Sequence, residues 1–67
     1  MEDLQLICDL LTKTLKATGN LSDLKKLDYN RKTETVKATF ENGSTKMADV
    51  AADSGTSMIR DIIAQIL

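Results

Sequence analysis

Residues 35–40 read Thr-Val-Lys-Ala-Thr-Phe, and Glu41-Asn42-Gly43 follow them directly. The alternation puts Val36, Ala38 and Phe40 on one side and Lys37 and Thr39 on the other, the pattern of a half-buried strand. Asn and Gly tolerate positive φ, so the chain is expected to double back here as an antiparallel hairpin, with 44–51 as the returning strand. This feature confines the fold. One face of the hairpin is apolar, and only the segments on either side of it are available as cover.

Two registers compete. A two-residue Asn-Gly turn sets Phe40 opposite Thr45 and brings Asp49 beside Val36 on the apolar face. A three-residue turn with Gly43 in a bulge sets Phe40 opposite Ser44, and Ala48 and Val50 then join the apolar face. The second register is preferred because it buries Val50 and leaves Asp49 in water. It also puts Lys46 on the apolar face near the hairpin tip, where the side chain must snorkel outward.

The flanks carry helical periodicity. Over 2–17, Leu4, Ile7, Cys8, Leu11 and Leu15 recur at steps of three and four, which at ~100° per residue makes one stripe. Glu2 and Asp3 fall in the first turn and Lys13 and Lys16 in the last, matching the helix dipole. Gly19 and Asn20 provide the stop. A second apolar face carries Leu6, Leu10 and Ala17. Over 54–67, with Asp53 or Ser54 as N-cap, Met58, Ile59, Ile62, Ile63, Ile66 and Leu67 cover about half the helix circumference. Between helix and hairpin, Ser22 is expected to cap a single turn over 21–26 that folds Leu21 and Leu24 inward. Leu27–Asn30 is expected as the first strand, and 31–33 as polar turn. The order is helix, three-stranded antiparallel meander, helix: an α+β fold in one small domain spanning 1–67.

A 67-residue chain has a marginal core, and small domains are usually stapled by disulfides, metal or association. With one cysteine and no histidine, internal disulfides and Cys/His metal sites are excluded, so no metal or cofactor is expected. Spare apolar surface on both helices then points to a homo-oligomer, with Leu6, Leu10, Ile59, Ile63 and Leu67 at the interface. The net charge of −1 disfavours a nucleic-acid role. No apolar run suits a membrane span, and acidic residues stand where a secretion signal would be basic, so a cytoplasmic location is expected.

Candidate sites are few. Ser54, Gly55, Thr56 and Ser57 start a helix, where free N–H groups can hold a phosphate or carboxylate, and Arg60 lies one turn on. The simpler reading is a plain cap, and Asp53 would repel an anion. Cys8 lies on the apolar stripe and reads as a buried small hydrophobe, since a catalytic thiol needs a base and histidine is absent. Asp49 and Asp53 alone would make a weak, exposed metal site. Lys25, Lys26, Arg31, Lys32, Lys37 and Lys46 crowd the meander, either as charge that protects strand edges or as a face for an acidic partner or nucleotide.

The runs Thr39–Gly43, Val50–Gly55 and Met58–Ile62 resemble small uncharacterised proteins of phages and prophages of Gram-positive bacteria. The resemblance implies a short accessory protein in a bacterial cytoplasm, of a kind that often acts against host defence by blocking a protein or sequestering a signalling nucleotide. With no acid/base constellation, the expected function is non-enzymatic. The chain is expected to be a homo-oligomeric binding module that sequesters a phosphate-bearing small ligand. The alternative is an interaction or assembly protein that binds a host or phage protein.

Overall fold

The computed structural model describes residues 3–19, 21–50 and 54–66. Helix α1 (Leu4–Ala17) is followed by strands β1 (Leu24–Asn30), β2 (Thr35–Phe40) and β3 (Thr45–Asp49), then helix α2 (Gly55–Ile66). The strands form one antiparallel sheet in the order β1-β2-β3, so the class is α+β.

The hairpin adopts the three-residue register. Val36 faces Ala48 and Ala38 faces Lys46. The Phe40 amide donates to the Ser44 carbonyl at 2.9 Å, and Gly43, at φ 87°, donates back to the Phe40 carbonyl. A side chain at Gly43 would have space but the wrong φ, so backbone conformation alone calls for glycine there. Ala48 and Val50 are buried beside Val36, Ala38 and Phe40. Lys46 does snorkel: its Nζ donates to the Ile66 carbonyl at 3.5 Å, at the negative end of α2.

Two expectations change at the front of the chain. The first strand begins at Leu24, three residues earlier than its periodicity suggests. Residues 21–24 make only a turn, closed by the Leu24 amide on the Leu21 carbonyl. Leu24 faces Phe40, yet Lys26 faces Thr39, so Lys25 is an extra residue in a β-bulge. The bulge resets the alternation, which lets Leu24 and Leu27, three apart, both point into the core. Asp3 also acts differently from a first-turn acid. It is the N-cap of α1, its carboxylate accepting from the Leu6 amide at 3.0 Å. Gly19, at φ 81°, ends the helix as expected, whereas Glu2 and Asn20 lie outside the described residues.

Both helices cover the same sheet face. Cys8, Leu11 and Leu15 of α1 and Met58, Ile62 and Ile66 of α2 close over Leu24, Leu27, Val36 and Ala38 in a single core. The opposite face, carrying Lys26, Asp28, Lys37, Thr39 and Met47, has no layer over it among the described residues.

One glutamine ties each helix to the outer edge of its strand. Gln5 of α1 donates to the Leu27 carbonyl at 3.0 Å and accepts from the Tyr29 amide at 2.9 Å. Gln65 of α2 accepts from the Asp49 amide at 2.9 Å and donates to the Asp49 carbonyl at 2.6 Å. Both side chains supply what a neighbouring strand would supply, one donor and one acceptor, on edges that would otherwise invite pairing with another chain. Replacing Gln5 by Ala is expected to cost about 1–3 kcal/mol, from two hydrogen bonds at ~0.5–1.5 kcal/mol each. The more exposed Gln65→Ala change is expected to cost about half that. Denaturant unfolding measures both, and absent losses would show that the edges do not depend on these amides.

Candidate functional site

The start of α2 is self-capped. The Ser54 hydroxyl accepts from the Ser57 amide at 3.1 Å and lies 3.2 Å from the Ser57 hydroxyl, while the Ser54 carbonyl takes the Met58 amide. Gly55 is buried, Thr56 and Arg60 are exposed, and Asp53 lies outside the described residues. The Ser54 side chain is therefore the cap itself, and an anion there would compete with it.

The residues expected at an oligomer interface divide. Leu6, Leu10 and Ile63 are 51%, 55% and 41% exposed. Ile59 is half-buried against the core, and Leu67 lies outside the described residues. The glutamine ties orient the helices. The β1 flank of α1 is the side of Gln5, so Ile7 and Leu10 face round toward α2, while Leu6 points away from the sheet. The β3 flank of α2 is the side of Gln65, so Ile59 and Ile63 face toward α1. Leu6 and Leu10 thus stand on the outer side of α1, and Ile63 on the α1-facing flank of α2.

The six cations of the meander separate into three places. Lys25 and Lys26 meet Lys13 and Lys16 of α1 across a groove of about 300 Å3 that also holds Asp9. Arg31, Lys32 and Lys37 border a groove of about 500 Å3 on the uncovered sheet face, beside Met47, Tyr29 and Asp28. Lys46 serves the end of α2. This second groove needs Met47 from β3 beside the β1–β2 turn, a juxtaposition that only the finished sheet creates. That turn is shaped by the Asn30 carboxamide, which accepts from the Lys32 and Thr33 amides at 2.9 and 3.3 Å. Glu34 closes it at φ 53°.

Among the described residues no cluster of three metal-ligating side chains occurs, and no helix is long and apolar enough to cross a membrane. Asp49 is engaged through its backbone by Gln65, away from any such cluster. Cys8 is fully buried under the helix layer. Burial, and then the nearby charges of Asp9 and Asp28, push its thiol up to about 11. Such a thiol is the reverse of an activated nucleophile. Cys8 is expected to resist thiol reagents at pH 8 in the folded chain and to react fully on unfolding, a contrast that absorbance labelling reads directly. The unfolded thiol ionises first, from 9.0, so Cys8 lowers stability progressively as pH rises from about 9 through about 11. A Cys8→Ala variant should lack that part of the alkaline decline.

No protein-family model, no curated protein and no solved structure matches this chain.

Proposed function

We propose that the chain is a non-enzymatic binding module that works as a homo-oligomer, paired through the outer surface of its helix layer. The observation that carries this reading is the order of residues along the outer side of α1. Leu6, Leu10 and Lys13 lie within an arc of ~60° at ~100° per residue, and Asp3, the N-cap, precedes Leu6 at the start of the helix. Their positions are symmetric about residue 8. When two copies of α1 meet antiparallel, Leu6 of each faces Leu10 of the other, and Asp3 of each faces Lys13 of the other.

Such a surface is complementary to itself, as a two-fold interface must be. The two leucines, with the exposed Ile63 of α2, supply the apolar area. The charges at the ends contribute little affinity, being exposed, but they disfavour parallel pairing, which would set like against like. A domain without disulfide or metal also gains stability from association by mass action. Binding without turnover fits the buried, deactivated thiol and the lack of histidine. The activity proposed is sequestration of a target by this assembly.

Light scattering with the purified chain is expected to give a mass above that of one copy. Leu10→Glu combined with Ile63→Glu should yield a monomer with an unchanged circular dichroism spectrum. Lys13→Glu, which sets two acids face to face, should weaken association without abolishing it. A wild-type chain that stays monomeric at millimolar concentration overturns the proposal, as does one whose mass ignores the double substitution.

A further inference from the structure

The groove on the uncovered sheet face has a composition that neither folding nor self-association requires. Met47 is 58% exposed in the middle of an otherwise polar face, directly across from Lys37. Met47 is the groove's apolar floor, and Tyr29, opposite Val36, packs against the core. Three cations border it: Arg31 and Lys32 from the β1–β2 turn and Lys37 from the central strand. One carboxylate, Asp28, lies among them, and it is already held by Lys26 at 3.2 Å. No ion pair engages Arg31, Lys32 or Lys37 among the described residues. Glu34 of the same turn and Asp49, across from Thr35 on this face, reduce the excess of positive charge, but the rim of the groove itself carries three cations to one carboxylate beside Met47.

We infer that this groove binds a small phosphorylated organic molecule, its phosphates on Arg31, Lys32 and Lys37 and its flat or apolar body on Met47. Each half of the inference has its own warrant. A guanidinium matches two phosphate oxygens at once, and flanking ammonium groups suit a ligand with more than one negative charge. A thioether is polarizable and adapts to a ring laid on it. The groove, about 500 Å3, is shallow and open to solvent, so it would hold a ligand by its phosphates and one face of its body. The Asn30 cap on Lys32 and Thr33 fixes the backbone of the turn that presents two of the cations, which limits the ordering cost of binding. The groove lies on the opposite side of the sheet from Leu6, Leu10 and Ile63, so it is complete in one copy and does not depend on pairing.

The test is an amide-resolved NMR titration with ADP, pyrophosphate, adenosine and a short single-stranded oligonucleotide. ADP is expected to shift residues 28–37 and 45–49, with pyrophosphate weaker at the same place and adenosine without effect. Arg31→Gln with Lys32→Gln should weaken ADP by about tenfold or more, the scale of losing charge-assisted contacts. Met47→Ser should weaken ADP while leaving pyrophosphate unchanged, which separates the apolar contact from simple charge. Lys13→Gln with Lys16→Gln, in the other basic groove, should leave ADP binding as it was. The monomeric Leu10→Glu, Ile63→Glu variant should bind ADP as well as the parent, so loss of self-association and loss of this site are read separately. Absence of shifts at millimolar ADP overturns the inference. So do shifts centred on Lys13 and Lys16, equal binding of ADP and pyrophosphate, or a response to the oligonucleotide alone.

Discussion

A three-stranded sheet has two edges, and in a domain this small neither can be hidden behind a further strand. The architecture depends on how those edges are closed. Each helix brings one glutamine to the outer backbone of its own strand, Gln5 to Leu27 and Tyr29 and Gln65 to Asp49. A carboxamide is the side chain closest to a peptide group, so it satisfies a free amide and a free carbonyl together. The same contacts set the rotation of each helix about its axis. Once Gln5 faces β1 and Gln65 faces β3, the position of every other side chain on the two helices follows from the helical repeat. The buried stripe, the inner flanks and the outer leucines are consequences of that rotation.

The hairpin was legible because its signals are local and agree with one another. Val36, Ala38 and Phe40 alternate, Gly43 permits the left-handed bulge, and only one register buries Val50 and frees Asp49. The start of β1 was not legible, for a physical reason. Leu24 and Leu27 stand three apart, which is helical spacing, and a bulge at Lys25 is what makes that spacing compatible with a strand. Nothing in the residues themselves announces a bulge, since its cause is the need to bury both leucines against β2 and α1. The glutamine contacts were equally hidden. Gln5 and Tyr29 are far apart in the chain, and an exposed-looking glutamine on a helix reads as ordinary surface.

For the candidate sites the same division holds. Surplus apolar residues on α1 are visible as soon as a helix is assumed, and Leu6 and Leu10 do stand outside the core. On α2 the surplus is smaller than the periodicity implies, because Ile59 folds against the core between the helices and leaves Ile63 exposed. The start of α2 has the residues of an anion site but also those of a cap, and Ser54 performs the capping. The basic residues of the meander look like one patch along the chain. Alternation and the bulge distribute them to an α1-facing groove, an uncovered sheet face and a helix end.

The two outer surfaces that result differ in chemistry, and the core between them explains why they can act independently. The helix side presents aliphatic side chains bounded by one acid and one base, a surface suited to its own copy. The sheet side presents cations round an exposed thioether, a surface suited to an anion with an apolar body. Between them lies a packed layer in which even the single thiol is held neutral by burial. A close-packed core of this kind transmits small displacements poorly unless it has a second arrangement to adopt. Both edges of the sheet are tied by paired hydrogen bonds. If the proposed pairing and the proposed groove both hold, their effects are expected to be additive: two sheet faces on one particle, each with the affinity of a single copy.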